Sequence, residues 1–417
     1  MSLSRLVYDI FIRVYAAGIR LASAFSPKAR LWTGGRKDWR GQLRKGLSGK
    51  QVDLWIHCAS LGEFEQGRPV IEALRQSFPG LTILLSFYSP SGYEIRKHYA
   101  FASHVSYLPL DTRKNARDFM ELANPRMAIF VKYEFWMHFL TELHQRAIPI
   151  LLISAIFRPT QLFFSWYGGS FLRLLSYYEK IFVQDQASAA ILETNGVQSV
   201  IVSGDTRFDR VLKIAAEAKE VPGIAHFLQD APAVVAGSTW PGDETVLASC
   251  VESMPKWIIA PHEVSEARLQ QLEKRFGASL VRYSALLKDP GKYEDRRILA
   301  IDNIGMLSAL YRYGKIAFIG GGFDHGIHNV LEAAVYGVPV LFGPHHHKFR
   351  EAADLIRYGA AFPVETAPAL LGCLEKLRDE PYRKICGARA SRYVREQAGA
   401  TGKILDFIQE KRFFTSI

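Results

Sequence analysis

The sequence predicts an α/β protein made of two doubly wound, Rossmann-like halves. Apolar runs recur along the first half at 52–58, 81–87, 127–132, 148–154, 180–184 and 199–203, with helix-length segments between several of them. The second half repeats the pattern at 233–237, 257–260, 279–283, 298–301, 316–319, 338–342 and 360–364. Continuous apolar runs are typical of parallel strands that helices cover on both faces. We therefore expect two parallel sheets that face each other across a cleft.

The length supports a division into domains, because 417 residues exceed one ordinary hydrophobic core. We place a separate N-terminal helix at 1–27, a first Rossmann-like domain at 28–215 and a second at 216–417. The linker falls near 205–232, where Pro222 and Pro232 interrupt a mixed helical stretch. With 48% hydrophobic and 22% charged residues, the chain is neither disordered nor a bundle of spanning helices.

Cysteines and charge exclude several classes of protein. The four cysteines are scattered without paired spacing, which argues against disulfides and a zinc ribbon and fits a reducing, cytosolic environment. The net charge of +11 is concentrated in residues 1–50, which hold 11 basic and 2 acidic residues. Because the rest of the chain is nearly neutral, we expect no nucleic-acid partner.

The first 25 residues predict a helix that lies in a membrane interface. On a helix, Arg5, Asp9, Arg13 and Arg20 fall within about 80° of one another, which leaves a wide apolar face. No apolar run reaches the ~18 residues of a spanning helix. A polybasic stretch that suits anionic headgroups follows, and it comprises Lys28, Arg30, Arg36, Lys37, Arg40, Arg44 and Lys45. The alternatives are a core helix followed by a solvated basic loop, or a signal peptide, for which a cleavage site is missing.

Three charged side chains of the first half follow predicted strands and are candidate catalytic residues. Glu63 lies in Ala59–Glu65, where an open α/β sheet places its ligand crevice, and it is our candidate general base. Glu134 also follows a predicted strand and would face the same crevice, beside Lys132 and two aromatic rings. Arg207 follows the last predicted strand of this half, and an arginine there suits a phosphate or carboxylate. Alternatively, Glu63 only complements the positive end of a helix and Glu134 forms a surface ion pair.

The second half contains a glycine loop, Gly320–Phe323, between a predicted strand and a helix. Backbone N–H groups and a helix start in such a loop can hold a phosphate, and Glu332 can accept bonds from ribose hydroxyls. The alternative is a tight turn with a cap. The segments 237–244, 261–263 and 302–306 also follow strands and would converge on the same nucleotide pocket. His345–His347 are consecutive loop residues without an acidic cluster, so we expect no metal site there.

These motifs resemble the bacterial 3-deoxy-D-manno-octulosonic acid (Kdo) transferases over nearly the whole chain. The resemblance rests on the order and spacing of ASLGEF, FYSPSGYE, YLPLDT, GSTWPGDE, DNIGMLSALY and GGGF…HNVLEAA…GVPVLFGPHHHKFREA. It implies a GT-B fold and an inverting transfer, without a metal or cofactor, of Kdo from CMP-Kdo to a lipid A precursor (lipid IVA) in lipopolysaccharide synthesis. It also implies a peripheral or monotopic place on the cytoplasmic face of the inner membrane.

The resemblance assigns roles residue by residue. Glu63 matches the family's proton acceptor, and Glu134 and Arg207 match its transition-state stabilisers. The matching CMP-binding positions are Pro261, His262, Ile304, Gly305, Met306, Gly321, Gly322, Asn329, Val330, Leu331 and Glu332. Two positions depart from the family's pattern: Arg207 stands where lysine is frequent, and Pro261 is followed by His262 instead of arginine.

Two other functions fit parts of the sequence. A nucleotide-sugar epimerase of similar two-domain architecture would convert its substrate without an acceptor and would need no membrane helix. A non-catalytic nucleotide-binding module on the membrane would keep the glycine loop but tolerate loss of Glu63. The N-terminal segment and the two carboxylates favour the transferase.

Overall fold

In the computed structural model, which describes residues 3–165 and 168–414, the chain forms two seven-stranded sheets whose strands all pair in parallel. One compact unit comprises the chain up to Asp209 together with the residues from Ala398 onwards, and the other comprises Arg210–Gln397. The α/β, doubly wound fold class predicted from the sequence is therefore confirmed.

The sheet of the first unit has the strand order β3-β2-β1-β4-β5-β6-β7. Its strands are β1 (Leu54–Cys58), β2 (Ile83–Phe87), β3 (His104–Tyr107), β4 (Met127–Val131), β5 (Ile150–Ala155), β6 (Lys180–Val183) and β7 (Val200–Val202). Strands β1, β2 and β4 are buried at every position, as expected for a sheet covered on both faces. The strand order reverses direction between β1 and β4, so the loops after these two strands diverge and leave a crevice.

Strand β3 was missed by the sequence analysis. Its four residues, HVSY, lie at the edge of the sheet, and only part of the segment is apolar. An edge strand pairs on one side only, so it does not need the continuous apolar run that marked the other strands.

Helices cover both faces of this sheet, and helices also lie before its first strand and after its last strand in the chain. They are α1 (Leu3–Ala22), α2 (Pro27–Gly34), α3 (Trp39–Leu47), α4 (Leu61–Ser77), α5 (Pro90–Arg96), α6 (Arg113–Ala123), α7 (Met137–Gln145), α8 (Gly169–Leu175), α9 (Gln186–Thr194) and α10 (Thr206–Glu217), across which the chain passes into the second unit.

Helix α1 packs on the first unit through one face and exposes an apolar face. Ile12 and Ala16 are buried, and Asp9 pairs with His138 at 2.6 Å. The exposed large apolar side chains of α1 recur at helical spacing, and they are Leu6, Val7, Ile10, Phe11, Val14 and Leu21. Within the described part of the chain, no helix has the length and apolar composition needed to cross a membrane.

The basic stretch after α1 is not a loop, because it forms α2 and α3. Arg36 lies over the rings of Trp32 and Tyr88 at 4.1 and 4.7 Å, and burial lowers its pKa to about 10. Arg40 is paired with Asp118 at 2.6 Å. These two cations are therefore engaged within the protein, whereas Lys28, Arg30, Lys37, Arg44 and Lys45 are exposed.

The sheet of the second unit has the order β10-β11-β9-β8-β12-β13-β14. Its strands are β8 (Ala233–Thr239), β9 (Lys256–Pro261), β10 (Leu280–Arg282), β11 (Ile298–Ala300), β12 (Ile316–Ile319), β13 (Val340–Phe342) and β14 (Ala361–Pro363). Its helices are α11 (Ile224–Leu228), α12 (Pro241–Ala248), α13 (Glu266–Phe276), α14 (Tyr283–Lys288), α15 (Leu307–Leu310), α16 (Leu331–Ala334), α17 (Arg350–Arg357), α18 (Ala367–Lys376) and α19 (Glu380–Gln397). Here the strand order reverses between β8 and β12.

The last helix, α20 (Ala400–Glu410), returns to the first unit. Ile404, Phe407 and Ile408 pack into the core under the first sheet, and Asp209 accepts hydrogen bonds from the first amides of this segment. The sequence analysis assigned 216–417 to the second domain, so the structure differs for these final residues. Position along the chain suggested the second domain, but the apolar face of α20 is buried in the first.

Candidate active site

Glu63 and Glu134 lie after β1 and β4 at the crevice of the first unit, Glu63 in the first turn of α4 and Glu134 in the loop before α7. Open α/β sheets bind ligands at this point, outside the carboxyl ends of the strands where the strand order reverses. Both carboxylates lie close enough to Cys58, the last residue of β1, to affect its thiol. Burial is the main cause that raises the pKa of this thiol, and the electrostatic effects of Glu63 and Glu134 are the next causes. The structure therefore places both predicted carboxylates near the end of β1.

Glu63 forms a capping box at the start of α4. The N–H of Ser60 donates to Glu63 Oε2 at 3.0 Å, and the Ser60 hydroxyl donates to the same oxygen. This is the structural role that the sequence analysis held open as the alternative to catalysis. Because both bonds go to Oε2 and the side chain is only half-buried, the capping role is compatible with proton transfer at Oε1.

Glu134 is buried, and ring nitrogens of Trp136 and His57 lie at hydrogen-bond distance from one of its oxygens. The Trp136 indole donates to Glu134 Oε2 at 2.6 Å, and His57 Nε2 lies 3.1 Å from the same oxygen. The Tyr178 hydroxyl donates to the backbone carbonyl of Glu134 at 3.1 Å, which anchors the loop. Glu134 is 8% exposed, so the alternative of a surface ion pair is excluded.

The surroundings of Glu134 differ in part from the sequence prediction. The expected neighbouring cation, Lys132, lies 5.5 Å from the ring of Tyr133, and its φ of 72° turns the chain after β4. Phe135 packs in the core against Phe163. The sequence analysis missed His57, although a histidine inside the apolar run VDLWIHC was a signal that could have shown it.

Arg207 lies at the start of α10 and pairs with the buried Asp205. Its Nε and Nη2 lie 2.9 and 2.8 Å from Asp205 Oδ2. The adjacent Thr206 hydroxyl donates to the backbone carbonyl of Gln66, on α4, at 2.5 Å. This contact brings the start of α10 to the helix that holds Glu63.

In the second unit, the glycine loop follows β12 at the point where the strand order reverses, and a carboxylate of the protein holds it. Asp243 accepts bonds from the N–H groups of Gly321 at 2.6 Å, Trp240 at 2.8 Å and Phe323 at 3.3 Å. Burial raises the pKa of Asp243 to about 6, although these three bonds oppose the shift. The sequence analysis predicted that the N–H groups of this loop bind an anion. In the structure, two of them instead donate hydrogen bonds to Asp243.

Glu332 lies beside the glycine loop and faces Asn329, which donates to it at 3.0 Å. Burial raises the pKa of Glu332, while Asn329 and Arg210 act in the opposite direction. Val330 and Leu331 are buried, and the N–H of Leu331 bonds to Asn329 Oδ1. The structure thus groups these predicted CMP-binding positions around one carboxylate at the start of α16.

An aromatic stack stands at the ends of β8 and β9. His262 stacks against both Trp240 and His328, with ring-centroid distances of 4.8 and 4.3 Å and interplanar angles of 23° and 19°. Burial, and then His262, lowers the pKa of His328 to about 4. Neutral His328 can therefore accept the bond from the Trp240 indole at 3.1 Å. The sequence analysis selected His262 and placed Trp240 in a segment of the same pocket, but it gave no role to His328.

The remaining predicted positions of the second unit lie in different environments. Pro261 ends β9 and is buried, whereas Ile304 is 87% exposed and Gly305 adopts a φ of 100°. Met306 is half-buried at the start of α15. In the part of the chain that the structure describes, no three His, Cys, Asp or Glu side chains are grouped so that they could hold a metal ion.

The fold is shared with nucleotide-sugar enzymes. A glycosyltransferase from Rickettsia africae has a TM-score of 0.55 at 12% identity, with 87% of this chain and 98% of that chain covered. A UDP-N-acetylglucosamine 2-epimerase has a TM-score of 0.56 at 13% identity, with coverage of 88% and 99%. The two sheets and their crevice loops define the GT-B class of glycosyltransferase fold.

Sequence comparison shows which family the chain is similar to. Residues 35–210 match the family described as 3-deoxy-D-manno-octulosonic-acid transferase (kdotransferase). The 3-deoxy-D-manno-octulosonic acid transferase of Bordetella pertussis is 26% identical, over 95% of this chain and 98% of that protein. The chain is thus similar to Kdo transferases over nearly its whole length, and it is a glycosyltransferase.

Proposed function

We propose that this enzyme transfers Kdo from CMP-Kdo to a lipid A precursor in lipopolysaccharide synthesis, with inversion at the anomeric carbon. The observation that carries this proposal is the presence of Glu63 and Glu134 near the end of β1, at the crevice of the first unit, in a chain similar to Kdo transferases. Glu63 is half-buried and Glu134 is buried with 8% of its surface exposed, so the two carboxylates can take different roles.

In the proposed mechanism, Glu63 removes the proton from an acceptor hydroxyl as its oxygen attacks the anomeric carbon of Kdo. The bond from that carbon to the CMP phosphate breaks, and CMP leaves with the electron pair. Positive charge develops on the sugar ring as in an oxocarbenium ion, and the fixed carboxylate of Glu134 stabilises it. Arg207, oriented by Asp205, stabilises the negative charge that develops on the phosphate.

We assign CMP to the second unit. The faces of the Trp240, His262 and His328 rings suit a pyrimidine, and Glu332 can accept bonds from ribose hydroxyls. Because Asp243 engages the amides of Gly321 and Phe323, we assign the CMP phosphate to other groups near this loop. We expect neither a metal nor another cofactor to take part.

An assay with CMP-Kdo generated in situ and a tetraacylated lipid A precursor tests the function. We expect mass spectrometry to show the acceptor heavier by one or more Kdo residues, and the number of increments gives the number of units transferred. Conversion of a nucleotide sugar without an acceptor would favour the epimerase. Binding of CMP without turnover would favour the non-catalytic module, and either result would contradict the proposal.

We also propose that α1 binds the cytoplasmic face of the inner membrane peripherally. Its exposed apolar face is larger than scattered surface apolar residues would produce, and exposed cations of α2 and α3 follow it. We expect replacement of Val7, Phe11 and Val14 by Glu to lower binding to anionic phosphatidylglycerol vesicles at least 10-fold, because each buried apolar side chain contributes about 2 kcal/mol.

Vesicle sedimentation measures this binding, with Ile385→Glu as the matched control. Ile385 is also an exposed apolar residue, but it lies on α19 in the second unit. Equal binding by the α1 variant and the unaltered protein would show that α1 is not the membrane-binding segment.

A further inference from the structure

We infer that His57 is a positioning residue that holds the Glu134 side chain oriented for transition-state stabilisation. The inference deepens the proposed function and rests on the role proposed there for Glu134. It comes from a chain of buried polar contacts that links β1, β2 and the loop after β4. The chain runs from Trp55 through Ser86 and His57 to Glu134, which also receives the bond from Trp136.

The first half of this chain fits a ring proton on Nε2 of His57. The Trp55 indole donates to Ser86 Oγ at 2.8 Å, which leaves the serine hydroxyl proton available for another acceptor. Ser86 Oγ lies 2.9 Å from His57 Nδ1, so the hydroxyl can donate its proton to this nitrogen. In the arrangement that we infer, Nδ1 accepts this bond and Nε2 carries the ring proton.

The second half of the chain delivers that proton to Glu134. His57 Nε2 lies 3.1 Å from Glu134 Oε2, and the Trp136 indole nitrogen lies 2.6 Å from the same oxygen and 3.1 Å from His57 Nε2. The shorter distance directs the indole proton to the carboxylate, so His57 Nε2 can act as a second donor to Oε2. Two N–H donors on one oxygen fix the orientation of the carboxylate. They also leave Oε1 outside this network, as the oxygen that can face the sugar.

The complete burial of the His57 ring argues against an incidental role, because a buried imidazole without partners costs free energy. His57 is 0% exposed, and its four neighbours in β1 are buried apolar residues. A polar ring at such a position costs free energy unless both of its nitrogens have partners. The ring plane is set by Phe130 and Trp136, whose centroids lie 5.8 and 6.3 Å away. His57 is thus fixed in the one orientation that serves Glu134.

Three substitutions at His57 separate the donor from the bulk of the ring. His57→Phe keeps the ring shape and removes both nitrogens. His57→Gln can place an amide N–H where Nε2 stands, whereas His57→Asn can reach only the Nδ1 position and leaves Glu134 without this donor. We expect His57→Phe and His57→Asn to lower kcat for Kdo transfer about 10- to 100-fold with little change in KM, and His57→Gln to recover most of the loss.

A double-substitution cycle with Glu134→Gln tests whether His57 acts through Glu134. If it does, His57→Phe lowers kcat only while Glu134 is present and changes it less than about 2-fold in the Glu134→Gln background. His104→Phe serves as the control, because His104 is another histidine of the first unit, partly buried, but it begins the edge strand β3. Its effect on kcat should be small in both backgrounds.

Nuclear magnetic resonance of protein labelled with ¹⁵N-histidine tests the proton assignment without any turnover. We expect the His57 signals, identified by their loss in His57→Gln, to show a neutral ring protonated at Nε2. A ring protonated at Nδ1 or at both nitrogens would overturn the inference, as would equal losses of kcat in both backgrounds or equal activity of the Gln and Asn variants. Absence of transfer by the unaltered enzyme, with the Nε2 tautomer present, would instead contradict the proposed function.

Discussion

Replacement of Glu63 by Gln is expected to lower kcat for Kdo transfer by about 10²- to 10⁴-fold, the range that a positioned general base contributes. The amide cannot accept the proton of the attacking hydroxyl. Its oxygen can still accept the bonds from Ser60 that close the capping box, so α4 should keep its start. Initial rates measured by mass spectrometry of the acceptor, together with a thermal unfolding curve, separate loss of chemistry from loss of fold.

Glu65→Gln is the matched control for this substitution. Glu65 lies two residues further along α4, and its carboxylate pairs with Arg96 at 2.9 Å. We expect its kcat to stay within a few-fold of the unaltered enzyme, because one half-exposed ion pair contributes about 1 kcal/mol or less. Full activity in Glu63→Gln would keep the function but move the base elsewhere, with Glu134 as the next candidate.

Substitution of Gly320 by Ala is expected to destabilise the second unit by about 3 kcal/mol, at the upper end of ordinary overpacking. A Cβ at this position would lie 2.3 Å from the carbonyl oxygen of Ser238 and 2.6 Å from Thr239 Cα. Both atoms belong to the backbone of β8, which cannot move aside as a flexible side chain can. Calorimetry of the full chain should show the melting temperature of this unit lowered by roughly 6–12 °C.

Gly372→Ala provides the control within the same unit. Gly372 lies inside α18, and a Cβ there would meet nothing within 4 Å. Since Ala is the better helix former, this variant should be unchanged or more stable by up to about 1 kcal/mol. An unaltered melting temperature in Gly320→Ala would mean that β8 and β12 are less closely packed than the structure describes.

Apolar patterning was sufficient to predict the two parallel sheets. Strands such as β1, β4 and β12 are buried on both faces, so each of them needs a continuous apolar run that is visible in the sequence alone. The positions of Glu63 and Glu134 followed from the same pattern, because the residues just after a strand lie at the carboxyl edge of its sheet. Only β3, paired on one side, was missed.

Contacts between distant segments could not be predicted in this way. The sequence indicated that the loop Gly320–Phe323 binds an anion. In the structure, Asp243, on a helix some 80 residues earlier in the chain, accepts hydrogen bonds from two of the loop's N–H groups. Likewise, α20 follows the second unit in the chain and yet buries Ile404 and Phe407 in the first.

The sequence by itself determined the fold class, the strands that matter and the residues at their ends, since these depend on local patterns of apolar and polar side chains. The tertiary structure alone decided which side chains meet there. His57 serves Glu134 because β1 and β4 are neighbours in the sheet, and Ser86 reaches His57 because β2 lies on the other side of β1. Strand order is set by the packing of the whole unit, so the partners of a buried polar group are known only when the chain has folded.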